Sequence, residues 1–408
     1  MKKSILFVLF SFILLKTLIS QNWEKKITYD EWGDKKCKIY CQIQQGHDSS
    51  RNYTNNFTFS GFVFAIVSVT DNIHPGHIIS KYQENTVTLK IRDANHKISE
   101  FSGQSEFRDN LSHKMATFSF LNPVDVYSIY KLLQKNEVYD ILIEGNGWYI
   151  KSELQGGLNI DLSSSAVLEI NETDEGKCVK VRDEYRYIVE EITIPEGCQI
   201  ISEGGFADCR FLKVVNAPKS LRKLENLAFF RSGLRKIDIS DVSEFGYVLF
   251  DSCICLEEIK NPHCKVENGF VIIDDKLNSV LDCKYKEIPN GVKVIGAASF
   301  ACNVYEQQSI FKYFSSIVIP GTVYKIEDAA FSDSPIKSIK LPKSIQIIEQ
   351  YAFAKCKDLQ TVIIENGSKL VELNFDKVFY CCDNLKSITL PKSVKLFNVP
   401  GNVQIIYY

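Results

Sequence analysis

The sequence predicts a solenoid of α/β type over its second half, with a parallel sheet on the concave face and a mostly irregular convex face, preceded by a β-rich, sandwich-like domain. The solenoid is predicted by a repeat. Ile319-Pro320, Val323, Ile326, Phe331 and Ile339 recur 22 residues later as Leu341-Pro342, Ile345, Ile348, Phe353 and, one residue further on, Val362. A fixed period of about 20 to 30 residues carried by apolar positions marks a coil in which each copy is one turn. The β-rich domain is predicted because that period is missing before residue 187, where short alternating runs stand between turn residues.

The 408 residues, 45% of them hydrophobic, suffice for two or three domains with their own cores. With 48 basic and 50 acidic residues the formal charge is −2, so no global field favours nucleic acid or an anionic membrane. Residues 1–20 have the layout of a secretory signal peptide: Lys2 and Lys3, an apolar run from Ile5 to Leu15, then Lys16, Thr17 and Ser20. That run reaches only about 16 Å as a helix against a hydrocarbon core of ~30 Å, which makes an uncleaved anchor the poorer reading. No later stretch approaches 18 apolar residues. The expectation is cleavage near Ser20, no transmembrane span afterwards, and a secreted or extracellular-surface location. Export would permit disulfides among the 13 cysteines, with Cys37 and Cys41 placed to pair locally. Sequons at Asn52, Asn56, Asn110, Asn171 and Asn366 fit a glycosylated surface.

Residues 22–186 read as the β-rich domain. Phe57 and Phe59 alternate with polar residues before Gly61, and a fully apolar run continues to Val69. Alternation returns at Val87, Leu89 and Ile91, and short strand candidates follow at 117–121, 138–143, 148–150 and 167–170, with Asn146-Gly147 and Gly156-Gly157 as turns. One helix is predicted, Val126 to Gln134, opened by Asp125 after Pro123 and carrying Ile129, Tyr130, Leu132 and Leu133 on a helical spacing. The His74-Pro75-Gly76-His77 pair has a spacing that some metal sites use. Pro and Gly there oppose a helix that would align the rings, and a solvated turn is the better reading.

From 187 to 408 a unit of about eight to nine copies takes over, written L-x-x-I-x-I, often Pro, an apolar pair three apart, then Phe followed three residues later by Cys or Ser. Its strand segments begin at Val189, Leu212, Leu234, Leu256, Phe314, Ile336, Leu359 and Leu385. Two interruptions stand out. Gly269 to Ile273 and Ser279 to Leu281, flanking Asp274-Asp275, read as a hairpin replacing one convex segment, and a loop with Glu306-Gln307-Gln308 extends another turn.

A single copy has no second layer against which to bury its Leu, Ile and Phe, so copies must stack with their strands in parallel. Ile194-Pro195, Ile201 and Phe206-Ala207-Asp208-Cys209, and again Leu341-Pro342 through Ala352-Phe353-Ala354-Lys355-Cys356, resemble the BspA-type leucine-rich repeats of bacterial and protozoan surface proteins. The resemblance implies a curved leucine-rich-repeat solenoid on a secreted or surface protein that binds other proteins or cell surfaces. Ser240 in place of Pro and the stretched copy after Ile364 depart from the pattern.

The cysteines of the solenoid read first as packing. Cys209, Cys253, Cys356 and Cys382 share one repeat position with Ser232 and Ser334, as a small, buried, weakly polar slot would allow, and a disulfide ladder is the weaker reading. Cys253, Cys255, His263 and Cys264 could supply four zinc ligands, but their spacing fits no standard finger. His263 is the only histidine of the repeat region, and no G-x-x-x-x-G-K-[ST], H-E-x-x-H or G-x-S-x-G motif occurs. Neither a catalytic constellation nor a cofactor or metal site is predicted.

Binding is the function left. In L-x-x-I-x-I the residues flanking the central Ile point away from the core because successive side chains alternate. They should line the concave face: Glu191, Thr193, Val214 and Asn216 first, then Lys236, Asp238, Glu258 and Lys260. Ser316, Val318, Ser338 and Lys340 continue the column, and Thr361, Ile363, Ser387 and Thr389 end it. The expectation is a non-enzymatic binding or adhesion protein with a protein or cell-surface ligand, and a glycan as a further option. In the alternative, the β-rich domain is carbohydrate-binding or carbohydrate-acting and the solenoid is its scaffold. The oligomeric state is left open.

Overall fold

The computed structural model describes residues 161–282, 284–301 and 315–408, and before them 24–29, 35–48, 52–60, 63–70, 87–110, 113–120, 122–145 and 148–155 with 158 and 160. Its contacts divide the chain into two units, Met1–Leu162 with Asp183–Ile188, and Ser163–Arg182 with Val189–Tyr408. The signal-peptide residues, His74, His77, the two Gly-containing turns and the Glu306 loop lie outside the described residues.

The first unit holds strands β1 (Glu24–Tyr29), β2 (Lys35–Asp48), β3 (Asn52–Ser60), β4 (Val63–Thr70), β5 (Val87–Arg92), β6 (Ile98–Asn110), β7 (His113–Phe120), β8 (Val138–Gly145) and β9 (Trp148–Gln155). They form one antiparallel sheet ordered β1-β2-β3-β4-β7-β6-β5-β8-β9, in which β2 also pairs β9. The β-rich expectation is met, but in place of two facing sheets the strands from β2 to β9 make a single sheet that closes where β9 pairs β2, with β1 on its outer edge. The helix α1 (Pro123–Leu133) starts earlier than its apolar spacing suggested. Asn122, not Asp125, caps it, its Oδ1 accepting from the Val124 N–H at 3.0 Å. Val126, Ile129, Tyr130 and Leu133 of α1 are buried, as are Leu89, Ile91, Tyr139 and Ile141 of the sheet.

The second unit begins with a short helix α2 (Ser164–Val167) and an antiparallel pair, β10 (Leu168–Thr173) and β11 (Gly176–Val181). β11 pairs in parallel with the first solenoid turn, so this hairpin covers the opening edge of the coil. These residues precede position 187 and still belong to the solenoid unit.

Most turns then carry two short strands rather than one. β12 (Glu191–Thr193) and β13 (Cys198–Ile201) make the first turn, β14 (Val214–Asn216) and β15 (Lys223–Leu224) the next, and β16 (Lys236–Asp238) and β17 (Glu244–Phe245) the third. β18 (Glu258–Lys260) follows, then β19 (Cys264–Glu267), β20 (Phe270–Ile273), β21 (Lys276–Val280) and β22 (Val294–Ile295). The later turns bring β23 (Lys325–Ile326), β24 (Ser338–Leu341), β25 (Ile347–Ile348), β26 (Thr361–Ile364) and β27 (Glu372–Asn374), which runs into the one-turn helix α3 (Phe375–Val378). β28 (Ser387–Leu390), β29 (Lys395–Phe397) and β30 (Gln404–Tyr407) complete the described coil.

A first parallel ladder runs β12-β14-β16-β18 and, after a single bridge between Glu287 and Val318, β24-β26-β28-β30. A second runs β11-β13-β15-β17, then β21-β22-β23-β25, with β27-β29 beyond. The second ladder is the main addition to the fold expected from sequence, because strands of two residues are too short to leave an alternation signature. The predicted hairpin exists as β20 and β21, but β19 extends it to three strands, and β21 re-enters the second ladder by pairing with β22. At that junction Asn278 Oδ1 and Ser279 Oγ accept from the Leu249 and Phe250 N–H groups at 3.0 and 2.9 Å, supplying the bonds that the regular turn would have provided.

The core is a spine of phenylalanines. Phe206, Phe229 and Phe250 stack at 5.3 Å centroid spacing, and Phe300, Phe331, Phe353 and Phe379 at 4.8, 5.1 and 5.6 Å. Around the spine the chain reverses through left-handed residues in two repeating columns. Leu227, Val248, Ala298, Ala329 and Tyr351 form one, and Asp208, Arg231, Ser252, Asp333, Lys355 and Cys381 the other, all with φ between 52 and 60°. None is glycine, so each costs about 1–2 kcal/mol of backbone strain that the stacked hydrogen bonds must offset.

Candidate binding surface

The structure places the predicted outward residues where the alternation put them. In β12, β14, β16 and β18 the central residue is buried and both neighbours are exposed. Glu191, Val214, Lys236 and Glu258 stand in register, and Thr193 faces Asn216 as Asp238 faces Lys260. Ser338 and Lys340 are exposed while Thr361, Ile363, Ser387 and Thr389 are half-buried. Ser316 is exposed, and Val318 retains 57% of its surface.

Electrostatics divides this surface. Its early part is self-neutralised: Lys236 Nζ lies 3.0 Å from Glu258 Oε2, Lys260 Nζ 2.5 Å from Asp238 Oδ2, and Arg235 donates to Glu257 at 2.6 Å. The hydrogen bond from Lys260, helped by Ser240, holds the Asp238 carboxyl down at about 2. Asn216 likewise spends its amide on Glu191 Oε1 and Thr193 Oγ1 at 3.2 and 3.1 Å. The later part is mostly neutral. Its one lysine, Lys340, pairs with Glu365 at 2.7 Å, and the rest is hydroxyl and aliphatic.

Sequence reasoning missed the continuation of that neutral part. β30 extends the registers Ser338, Thr361, Ser387 to Gln404, and Lys340, Ile363, Thr389 to Ile406. Gln404-Ile405-Ile406 repeats the polar-apolar-apolar pattern of Thr361-Val362-Ile363, but without the Leu and Phe that frame the other copies. Glu287 was missed for the same reason, since its turn pairs through one bridge alone.

The other candidates resolve as follows. Cys37 and Cys41 both fall on β2, where four residues of extended chain separate Cα atoms by about 13 Å, nearly twice what a disulfide spans; their side chains, like those of Asn52, Asn56 and Asn110, lie outside the described residues. Asn171 and Asn366 are exposed, with Asn171 donating to Glu169 at 2.9 Å. In the slot after each Phe, the thiols of Cys253, Cys356 and Cys382 donate to the carbonyl of the preceding turn's Phe, at 2.8, 3.0 and 2.9 Å. Burial pushes the Cys253 thiol up to about 12, far from a nucleophile's range. His263 Nδ1 lies 2.8 Å from Asp274 Oδ1, while Cys253 is enclosed in the core.

Two parallel ladders, a phenylalanine spine and an outward strand surface define a leucine-rich-repeat solenoid. The family described as BspA type leucine rich repeat region, in six copies, matches residues 185–305 and 305–399. The chain belongs to that family. It is also similar to a leucine-rich cell surface protein of Faecalibacterium prausnitzii, with 20% identity and a TM-score of 0.33 over 53% of this chain and 63% of that one. A leucine-rich repeat protein of Eubacterium ventriosum gives 18% identity and 0.35 over 59% and 84%, and the pneumococcal vaccine antigen PcpA gives 18% and 0.35 over 54% and 68%. This chain therefore spans less than two thirds of the first of these. No curated protein matches it.

Proposed function

We propose that this chain is a non-enzymatic binding protein of the cell exterior, and that its solenoid recognises a protein on the outward surface of β24, β26, β28 and β30. The observation that carries this reading is the division of the first ladder: its charged part is occupied in internal ion pairs, whereas its later part presents Ser338, Thr361, Ser387 and Gln404 beside Ile363, Thr389 and Ile406. Neutral hydroxyl and aliphatic groups cost less to desolvate than charges, and a paired surface charge must give up its partner before it binds another. A regular sheet whose backbone is already hydrogen-bonded also costs little ordering entropy on association. Family membership supports a recognition scaffold, and the apolar run from Ile5 to Leu15 supports export.

The test is binding of the purified chain to intact cells and to immobilised extracellular proteins. Ile363→Arg with Thr389→Arg should weaken binding at least tenfold, and Lys236→Glu with Lys260→Glu should leave it unchanged. Loss with the second pair and not the first would overturn the placement, and binding that followed residues 22–162 alone would overturn the role of the solenoid.

A further inference from the structure

The Cys/Ser slot carries more than packing at one place. Among the described residues its occupants run Cys209, Ser232, Cys253, then Ser334, Cys356 and Cys382. Cysteine therefore alternates with serine until Cys356 and Cys382, where two thiols fall on successive turns. The geometry of the slot shows how close such neighbours come. At the earlier pair, Cys253 Sγ donates to the Phe229 carbonyl at 2.8 Å, the Ser232 N–H donates to the same carbonyl at 3.0 Å, and Ser232 Oγ lies 3.4 Å from Cys253 Sγ.

The later pair repeats this arrangement with sulfur on both sides. Cys382 Sγ donates to the Phe353 carbonyl at 2.9 Å, and the Cys356 N–H shares that carbonyl at 3.4 Å. The two turns are locked together by Phe353 N–H to Val378 O at 3.0 Å and by the stacking of Phe353 on Phe379. Stacked strands lie about 4.8 Å apart, within the Cα spacing a disulfide accepts. Each thiol shifts the other, the Cys382 thiol being drawn down and the Cys356 thiol pushed up. Cys382 is partly exposed and Cys356 is not, so one thiol is reachable and the other waits behind it.

We propose that Cys356 and Cys382 form a reversible disulfide that staples two successive turns of the solenoid, with a small-molecule disulfide of the glutathione class as oxidant. Cys382, as thiolate, attacks one sulfur of the oxidant and releases the first small thiolate, which takes up the Cys382 proton. Cys356 then attacks Cys382 Sγ in the mixed disulfide and releases the second, which takes the Cys356 proton. Two protein thiols are oxidised to one disulfide, and the oxidant is reduced to two thiols. The inference does not depend on the binding surface proposed above.

The experiment uses the full chain equilibrated with oxidised glutathione, followed by alkylation and peptide mass mapping. The expected product joins the peptide of Cys356 to that of Cys382 with the loss of two hydrogens. It should persist in Cys381→Ser, whose neighbouring thiol sits in the same peptide, and vanish in Cys382→Ser. Serine already occupies the slot at Ser232 and Ser334, so that variant keeps the fold. The oxidised chain should also melt about 5 °C or more above the reduced one, reversibly. Alkylation of both thiols after oxidation, a glutathione adduct on Cys382 with no link, or a link that needs Cys381 would each overturn the proposal.

Discussion

Phe331→Ala is the most informative perturbation of this fold. The side chain is fully buried and lies between Phe300 at 4.8 Å and Phe353 at 5.1 Å, with interplanar angles of 5° and 7°. Truncating a buried Phe to Ala costs about 3–5 kcal/mol, and two stacked neighbours place this site towards the upper end. In a solenoid each turn touches only its neighbours, so the loss should act locally before it acts globally. At ~1.4 kcal/mol per decade, a loss of about 4 kcal/mol raises the open population of these turns by roughly 10³. Hydrogen exchange reads this directly. The amides that tie the turn in place, Phe300 to Ala330 O, Phe331 to Ala352 O and Asp333 to Ala354 O, should lose protection. Those between β12 and β18, several turns away, should keep theirs. A uniform loss across the solenoid, or a change below tenfold at the three amides, would refute the nearest-neighbour spine.

Two further outcomes follow from the turn geometry and the buried charge. Lys355, exposed at φ 56°, should gain about 0.5–1 kcal/mol as Lys355→Gly and lose about 1 kcal/mol or more as Lys355→Val, since a branched side chain tolerates the left-handed region least; denaturant midpoints check both. Asp251 is buried, with Oδ1 accepting from the Val280 N–H at 3.1 Å, and burial pushes its carboxyl up to about 7. The folded state thus binds the proton more tightly than the unfolded chain, whose carboxyl titrates near 4. The stabilisation is fully present below pH ~4 and is lost as pH rises towards about 7. Asp251→Asn, which keeps an acceptor, should flatten the stability profile across that window, and an unchanged slope in urea melts at pH 4 and 7 would sink the assignment.

Much of the solenoid was legible because its signal is periodic and apolar. Phe331 and Phe353 recur at a fixed interval, and an interval preserved along the chain becomes a stack in space. The outward column was legible from the same frame, since Lys236 and Asp238 flank a buried Ile237 by simple alternation. The second ladder was not. Strands such as Lys223–Leu224 and Lys325–Ile326 hold together only by pairing with the turns before and after, and two residues carry no period. The closed sheet of the first unit was hidden for a related reason: alternation reveals that Phe57 and Phe59 sit in a strand, but not that β2 will pair with β9 as well as β3.

By itself the sequence determined that this chain coils, where most of its turns begin, which side chains face inward, and that its cysteines share a slot with serines. All of these follow from the spacing of residues along one dimension. Only the tertiary structure decided that Lys236 and Lys260 are already partnered, that β30 prolongs the neutral surface, and that Cys356 and Cys382 share the Phe353 carbonyl across successive turns. Those are facts of register between segments some twenty residues apart, and register is set when turns stack, by backbone hydrogen bonds that any sequence can make.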